Sequence, residues 1–432
     1  MTTSEPGVSQ SEDQAQPPVD PVVARVQRRT VSVLSAGAVL GGVAVAGSIP
    51  AGSLLTATIA DSEAVAGLAQ TSGVIGAALM ALPLARIALS RGRRAALSTG
   101  YGIGALGAVV VILAAVTRSL PAILLGCMFV GVASASGYQA RYAATDLATP
   151  KGRARALSLV VWAGTIGAVL GPNLLGASGG LALDLGLPQL TGAYLLCVAC
   201  LTLASLVLFG LLRPDPYLVA RDLRSSGNSG KQRLRDGIEH IRGRPRAILG
   251  ITAIAVGHVA MVMVMVMTPV HMAHVDVQLQ VIGLVISVHV AGMYALSPVV
   301  GWAVDRFGRL PVIWAGSLIL VLSCAVAGLA PATDARALGL GLFLLGLGWS
   351  CTLIAGSTLV TDETEPDERP AVQGLSDLVM NAAGALGGIV AGIVVAFSSY
   401  GALCAVAVLP VLALALLALL PRMRVRNSGV SA

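Results

Sequence analysis

Charge is scarce in this sequence. Asp, Glu, Lys and Arg together make up 11% of the residues, whereas a soluble domain carries about 25%. Apolar residues make up 56%, and runs of about 20 of them, each long enough to cross a bilayer as a helix, recur along the chain. A soluble domain is therefore excluded. Backbone in lipid must satisfy its own hydrogen bonds, so the runs are helices and the chain is predicted to be an all-α membrane protein.

Other classes of protein are excluded because their chemistry is missing. The six cysteines all lie within apolar segments and give no secreted disulfide framework. Gly230-Lys231 is not a phosphate-binding loop, because Ser225 and Gln232 stand where that loop needs Gly and Ser or Thr. No nucleophile–base cluster supports an enzyme, and no permanently bound cofactor is expected. The basic residues that give the net charge of +7 lie between the apolar runs. They therefore indicate a lipid bilayer rather than nucleic acid as the partner.

The apolar runs predict twelve transmembrane spans, and a monomer is expected. The predicted spans cover residues 31–57, 64–89, 95–117, 121–145, 155–178, 190–212, 247–273, 279–303, 311–330, 336–361, 371–396 and 398–420.

The basic residues indicate the orientation. With twelve spans, the Arg and Lys clusters near residues 25–29, 91–94, 151–155 and 422–426 all fall on one side. The positive-inside rule then predicts a cell-membrane protein with both termini in the cytoplasm. The predicted domains are a disordered cytoplasmic tail at 1–24, an N-terminal six-helix bundle at 25–212, a cytoplasmic linker at 213–246, a C-terminal six-helix bundle at 247–421 and a cytoplasmic tail at 422–432.

The two halves form an internal repeat. A repeat spaced by an even number of spans keeps its orientation, which predicts two parallel bundles related by an axis along the membrane normal. The matched positions, all at one constant offset, are Gly92-Arg93 with Gly308-Arg309, Asp146 with Asp362, Pro150 with Pro366, Arg153 with Arg369 and Gly171 with Gly387.

Methionine and histidine concentrate between His258 and Met293. Thioether and imidazole together are ligands for soft transition metals, copper above all. At 100° per residue the stretch has two opposite helical stripes, and the following span adds a pair at i, i+4. We interpret these positions as a metal path between two membrane helices. The first stripe holds His258, Met261, Met265 and Met272, the second holds Met263, Met267, His271 and His274, and the pair is His289 and Met293.

The same stretch also has a purely structural interpretation. Methionine fills gaps in apolar cores, so any one of these thioethers can be packing. A histidine at membrane depth is costly and usually faces a cavity or a partner, which favours a functional role for the imidazoles. At the outer end of span 7, His271, His274 and Asp276 would capture a cation before it reaches the deeper thioethers.

The loop between spans 8 and 9 reads Gly301-Trp-Ala-Val-Asp305-Arg306-Phe-Gly308-Arg309. It resembles the cytoplasmic signature loop of the major facilitator superfamily, and through the repeat the resemblance covers the whole chain. The resemblance implies a secondary transporter that works by alternating access, in which this loop latches one conformation. The first-half copy has Leu89 where the second half has Asp305, so the first latch is expected to be weaker.

A second resemblance is narrower. Met261-x-x-x-Met265 and His289-x-x-x-Met293 are similar to the paired motifs of the CcoA-like copper importers in that superfamily. This implies copper uptake with those four residues as ligands, although Met263-x-x-x-Met267 offers the same spacing.

Relatives with similar motifs include riboflavin importers, so the cargo stays open. The alternative is import, or proton-linked export, of a small organic molecule. A non-transporting membrane sensor or enzyme subunit is the third hypothesis. Aromatic residues make up only 4% of the chain, which leaves little material for stacking a flavin and favours copper.

Coupling to a proton gradient has three charged candidates, Arg141, Asp146 and Asp377. Span 1 contains no ionisable residue, and none of the acidic groups lies plainly at the membrane midplane. We therefore predict that any proton dependence comes from His258 or His289, or is absent, with Asp377 as the alternative.

Overall fold

The computed structural model describes residues 21–61, 68–223, 241, 243–273, 275, 277 and 279–420. Within these ranges the regular structure is helical. The helices are α1 Pro21–Ala60, α2 Leu68–Val116, α3 Leu120–Ala143, α4 Arg153–Asn173, α5 Leu175–Asp184, α6 Gly192–Leu211, α7 Pro216–Asp222, α8 Pro245–Ala273, α9 Leu279–Tyr294, α10 Ser297–Phe307, α11 Arg309–Leu329, α12 Ala335–Asp362, α13 Arg369–Phe397 and α14 Tyr400–Leu419, with a 3₁₀ turn at Gln189–Thr191.

The predicted all-α membrane fold is confirmed. Across the described ranges, 11 helical segments are long and apolar enough to cross a membrane. One of them, Leu68–Val116, is 49 residues long and contains a non-helical residue, Gly92, at its middle. A helix rises about 1.5 Å per residue and a bilayer core is about 30 Å thick, so this segment crosses twice and the spans number twelve.

The helices differ from the predicted spans mainly at their ends. Helix α1 begins at Pro21, inside the segment predicted to be a disordered tail, and residues 1–20 of that tail lie outside the described residues. Predicted span 8 is divided between α9 and α10, because the helix is interrupted at Ala295 and Leu296. The predicted linker contains a short helix, α7. Its residues 224–240 and 242, and the C-terminal tail from 421, are outside the described part of the chain.

Each half of the chain has its own buried apolar cluster. All buried members of one cluster come from residues 33–212, and those of a second come from residues 254–411. A third cluster joins the halves, because Ala154 and Leu157 of α4 pack with Val300 and Val304 of α10. The halves therefore fold around separate cores, and helices α4 and α10 are one of the places where they meet.

Backbone geometry confirms the repeat. Gly92 has φ 87° and ψ 172°, and its counterpart Gly308 has φ 94° and ψ 171°. Both glycines occupy a region that side-chain-bearing residues rarely adopt, so each signature loop needs glycine at this point. The following arginines also correspond, since Arg93 pairs with Asp146 and Arg309 pairs with Asp362. The membrane end that carries Arg93, Arg153, Arg309 and Arg369 is termed the basic end below.

Candidate functional site

A cavity of about 510 Å³ lies between the two halves. Its wall is mostly apolar, and aromatic side chains come to it from both halves of the chain. It extends along α1 and α2, away from the basic end, as far as Gln70, an exposed residue near the start of α2. The aromatic residues on its wall are Tyr101, Tyr138, Tyr194, Tyr294 and Trp349.

An ion pair closes the floor of the cavity. Arg141 of α3 lies on the cavity wall, and its Nη2 donates to Asp377 Oδ1 of α13 over 2.7 Å. The guanidinium also lies over the ring of Tyr138, with 5.6 Å to the centroid. Both ends of the ion pair are buried, and Arg141 Nε and Asp377 Oδ2 have no hydrogen-bond partner among the described residues. The wall residue Arg141 therefore keeps one buried donor unpaired, and its partner Asp377 keeps one buried acceptor unpaired.

Arg141 takes its partner from the other half of the chain, although Asp146 is closer to it in the sequence. In the structure Asp146 accepts from Arg93 Nε over 2.9 Å, and Arg141 reaches across to the other half. Arg141 and Asp377 are separated by more than half of the chain, so only the fold reveals their pairing. Buried, hydrogen-bonded charges at membrane depth are rare and usually functional.

Ionic contacts tie the halves together at the basic end. Asp362 accepts from Arg309 Nε over 2.6 Å and from Arg153 Nη1 over 2.5 Å. Arg309 lies in the second half and Arg153 in the first, so one carboxylate bridges both. Arg93 Nη2 likewise donates to Gln373 Oε1 of the second half. The cavity is therefore shut at the basic end.

The signature loop of the second half contributes a further contact between the halves. The Asp305 carboxylate accepts from the backbone N–H groups of Ala154 (3.2 Å) and Arg155 (2.9 Å), at the start of α4. A helix N-terminus has unpaired N–H groups and a positive dipole end, so a carboxylate is its natural partner. Gly301 permits the close approach, because a Cβ there would lie 2.7 Å from Ser158 Cβ. Arg306 is exposed.

The first-half loop is held in a different way, which sequence reasoning missed. The Asp215 carboxylate accepts from Arg94 N over 2.7 Å and also caps α7 through Tyr217 N. Tyr217 donates its hydroxyl to the carbonyl of Asp367, just before α13, over 3.1 Å. The sequence did contain a signal for the start of α7, because Asp215-Pro216 is an N-cap residue followed by proline at the first helical position.

Two of the four proposed copper ligands reach the cavity. Met265 of α8 and Met293 of α9 lie on its wall. Met261 is 6% exposed and belongs to the core cluster of the second half, as do Met263 and Met272. The structure thus brings one methionine from each motif to the same space and places Met261 in the core.

The histidines fall in three environments. His289 is buried, its Nδ1 lies 2.8 Å from the Leu342 carbonyl, and it is absent from the cavity wall. His258 Nδ1 accepts from the indole N–H of Trp349 over 3.2 Å. His271 stacks on Tyr400, with 4.4 Å between ring centroids, and His274 and Asp276 lie outside the described residues. Among the residues with assigned positions, no three His, Cys, Asp or Glu side chains form a group that could hold a metal ion.

Two repeat-related six-helix bundles that enclose a central cavity, shut at one membrane end, define an alternating-access transporter. A model of the Major Facilitator Superfamily matches residues 34–280 and 253–432. The chain belongs to that superfamily and is a transporter rather than an enzyme.

Two transporters are similar to this chain over most of its length. It is 38% identical to the uncharacterized MFS-type transporter YdeG of Bacillus subtilis (strain 168), over 87% of this chain and 88% of the relative. It is 28% identical to the riboflavin transporter RfnT of Brucella anthropi, over 95% of this chain and 99% of the relative.

Solved structures share the fold. The human organic anion transporter MFSD10 (TETRAN) matches with a TM-score of 0.68 at 19% identity, over 93% of this chain and 100% of that one. The proton:xylose symporter XylE matches with a TM-score of 0.68 at 14% identity, over 91% and 95% of the two chains. At these identities the likeness concerns the fold alone.

Proposed function

We propose that the cargo of this transporter is a small organic molecule with a planar aromatic ring system, of the riboflavin type. The observation that carries the proposal is the aromatic wall of the cavity. Tyr138 comes from the first half, and Tyr294 and Trp349 come from the second, so both halves present rings to one space. Aromatic rings bind other planar rings by offset stacking and edge contacts. Alternating access would then expose this site to each side of the membrane in turn.

The average composition of the chain conceals this wall. An aromatic content of 4% argued against stacking of a flavin, but an average says nothing about position. The volume of about 510 Å³ lies within the roughly 300–1,000 Å³ typical of small-molecule sites. A largely apolar wall with a few polar groups is also typical of such sites.

Polar groups at the floor suit a cargo with hydrogen-bonding edges. Arg141 and Asn381 both lie on the cavity wall. The unpartnered Arg141 Nε offers a donor to a carbonyl of the cargo, whereas Asp377, its ion-pair partner, is absent from the wall. The Asn381 side chain is oriented on its own helix, because its Nδ2 donates to the backbone carbonyl of Asp377, one turn earlier, over 2.7 Å.

The relative RfnT supports the same class of cargo. Its name assigns it riboflavin, and the similarity runs through nearly the full length of both chains.

Copper is the second candidate, and one observation favours it. Met265 and Met293 bring two thioethers to the cavity wall, and thioethers select Cu(I). In this hypothesis Met261 and His289 would have to turn from the core to complete the proposed set of four ligands, with import as the direction.

Uptake into proteoliposomes tests the proposal. Purified protein would be reconstituted, and entry of riboflavin and of Cu(I) measured in parallel with empty liposomes. We expect riboflavin uptake that is lost in Trp349→Leu and retained in His289→Ala, because His289 does not reach the cavity. Copper uptake that is lost in Met265→Ala and His289→Ala, without riboflavin uptake, would replace the proposal by the copper hypothesis.

A further inference from the structure

One hydrogen bond fixes the indole of Trp349 at the cavity wall. Trp349 lies on α12 and is 4% exposed, and its Nε1–H donates to His258 Nδ1 of α8 over 3.2 Å. An indole nitrogen can only donate, so His258 accepts at Nδ1 and, as a neutral ring, carries its proton on Nε2. Helix α13 leaves room for this imidazole at Gly384, where a Cβ would lie 2.6 Å from His258 Cδ2.

A second contact sets the tilt of the same indole. Tyr294 of α9 meets Trp349 edge to face, with 5.8 Å between centroids and an interplanar angle of 84°. Tyr294 also lies on the cavity wall. Three helices thus determine the position of one ring: α12 carries it, α8 binds its N–H and α9 contacts its ring. The two rings form a corner with a fixed angle at the cavity.

The histidine is the unusual part of this arrangement. A buried indole N–H needs an acceptor, and a backbone carbonyl or a hydroxyl would suffice. An imidazole at membrane depth is a costly acceptor and usually has a function. His258 itself does not line the cavity, so any effect on a cargo passes through Trp349.

We propose that Trp349 and Tyr294 form the ring-binding subsite of the cavity for a planar heteroaromatic group, and that His258 is the positioning residue that holds the indole. This rests on the proposed organic cargo and narrows it: the ring system lies against the second half of the molecule. The polar remainder of the cargo then points towards Arg141, which lies on the same cavity wall.

Binding of two fragments to purified protein separates this subsite from the identity of the cargo. The probes are lumichrome, which has the fused rings without the sugar-like chain, and ribitol, which has the chain without the rings. We expect wild-type protein to bind lumichrome and not ribitol. Trp349→Leu should weaken lumichrome binding about 5- to 150-fold, the range for loss of one base-on-aromatic stack.

Five further variants test the positioning role. His258→Ala should weaken lumichrome binding, whereas His258→Gln keeps an acceptor and should restore most of it. Trp349→Phe keeps a ring and loses the N–H, so adding His258→Ala to it should cause little extra loss if the histidine acts only through the indole. His289→Ala is the matched control, being a buried histidine of the neighbouring helix α9 that is bound to a backbone carbonyl. It should bind lumichrome as wild type does.

A spectroscopic measurement distinguishes loss of this one hydrogen bond from misfolding of the variant. The ultraviolet resonance Raman signal of a hydrogen-bonded indole N–H, taken as the difference from Trp349→Phe, should disappear in His258→Ala and persist in His289→Ala.

The outcomes distinguish the two proposals. Lumichrome binding that depends on Trp349 and His258, without riboflavin uptake, would leave the subsite standing and overturn the riboflavin-type cargo. Riboflavin uptake that is indifferent to Trp349→Leu and His258→Ala would overturn the subsite alone. Wild-type protein that binds no lumichrome would overturn the subsite. Additive losses in Trp349→Phe with His258→Ala would overturn the positioning role of His258.

Discussion

At the scale of single residues, the pair of Arg141 and Asp377 dominates the chemistry of the cavity. It joins the two halves at the floor, and both side chains are nearly inaccessible. Removing one partner of a buried ion pair costs about 3–5 kcal/mol, because the other charge is left uncompensated. Replacing both partners by apolar groups is often neutral in stability. Stability and transport can therefore be separated at this site.

The first prediction uses that separation. Asp377→Asn and Arg141→Met should each lower the unfolding temperature of the purified protein, and the double variant Arg141→Met, Asp377→Leu should recover most of the loss. Transport should be abolished in the double variant even though its stability is recovered, because the polar side chains of the floor are gone. Thermal unfolding followed by fluorescence, with uptake measured on the same preparations, checks both parts. Unfolding temperatures equal to that of the wild type in all three variants would show that the pair contributes nothing to stability.

The second prediction concerns the source of proton coupling. From the sequence we predicted His258, His289 or no coupling, with Asp377 as the alternative. Neither His289 nor Asp377 lines the cavity. His289 is bound to the Leu342 carbonyl within its own half, whereas Asp377 holds the contact between the halves that must break when the floor opens. Protonation of Asp377 would release Arg141. We now expect Asp377→Asn to lose its response to an imposed pH gradient and His289→Gln to keep it. Loss of the response in His289→Gln alone would restore the original prediction.

At the scale of helices and loops, the two copies of the signature loop are secured by different partners. In the second half Asp305 binds the N–H groups at the start of α4. The repeat places Pro370 opposite Ala154, and proline has no N–H to offer. A carboxylate at position 89 would therefore lack one of its two donors, which accounts for Leu89.

The linker takes over the role of the missing carboxylate. Asp215 accepts from Arg94 N, and Tyr217 reaches the Asp367 carbonyl of the second half. A single hydrogen bond contributes about 1 kcal/mol, so its loss changes an opening equilibrium by about fivefold. The expectation that the first latch is weaker followed from Leu89 alone and left out this substitute.

The third prediction follows from this linker contact. Tyr217→Phe should shift the protein about fivefold towards opening at the basic end, and Asp215→Ala should shift it further. Leu89→Asp should not tighten the closed state, because its second donor is absent. Spin labels on cysteines placed at the exposed positions Arg91 and Arg306 would report the separation of the halves. Unchanged distances in Tyr217→Phe, with a change in Asp305→Ala, would confine the latch to the second half.

At the scale of the whole molecule, the structure shows one conformation of a two-bundle transporter. Ion pairs shut the basic end, and the cavity extends to Gln70 at the opposite end. The positive-inside rule predicts that the basic end faces the cytoplasm, which would make this the outward-facing state. Several contacts hold the basic end closed, since Asp362, Gln373 and Asp305 all accept hydrogen bonds from residues of the opposite half.

The fourth prediction tests orientation and conformation together. In intact cells, Gln70→Cys should react with a membrane-impermeant thiol reagent, and Arg306→Cys should not. The native cysteines of the described chain are buried or half-buried, so the wild type provides the background. Reaction at Arg306→Cys in place of Gln70→Cys would reverse the predicted orientation.

The sequence by itself determined the class, the number of spans and the repeat. These properties follow from local chemistry: an apolar run of bilayer length is a helix in lipid wherever it stands, and Gly92 and Gly308 need glycine because of their own backbone angles. The signature loop could likewise be recognised from one short stretch. Helix ends were less predictable. The break between α9 and α10 falls within an apolar run, and α1 begins at Pro21, ahead of the polar residues 27–30 where the apolar run has not yet started.

Only the tertiary structure decided what each polar or aromatic side chain contacts. Met265 and Met293 reach the cavity while Met261 and His289 face the core, because helix rotation depends on packing against neighbouring helices and spacing along one helix leaves it open. Arg141 pairs with Asp377 and not with Asp146 for the same reason. The aromatic wall is formed by residues from distant spans, so an average composition could not reveal it. Contacts between distant segments depend on the whole fold, and in this protein those contacts form the site.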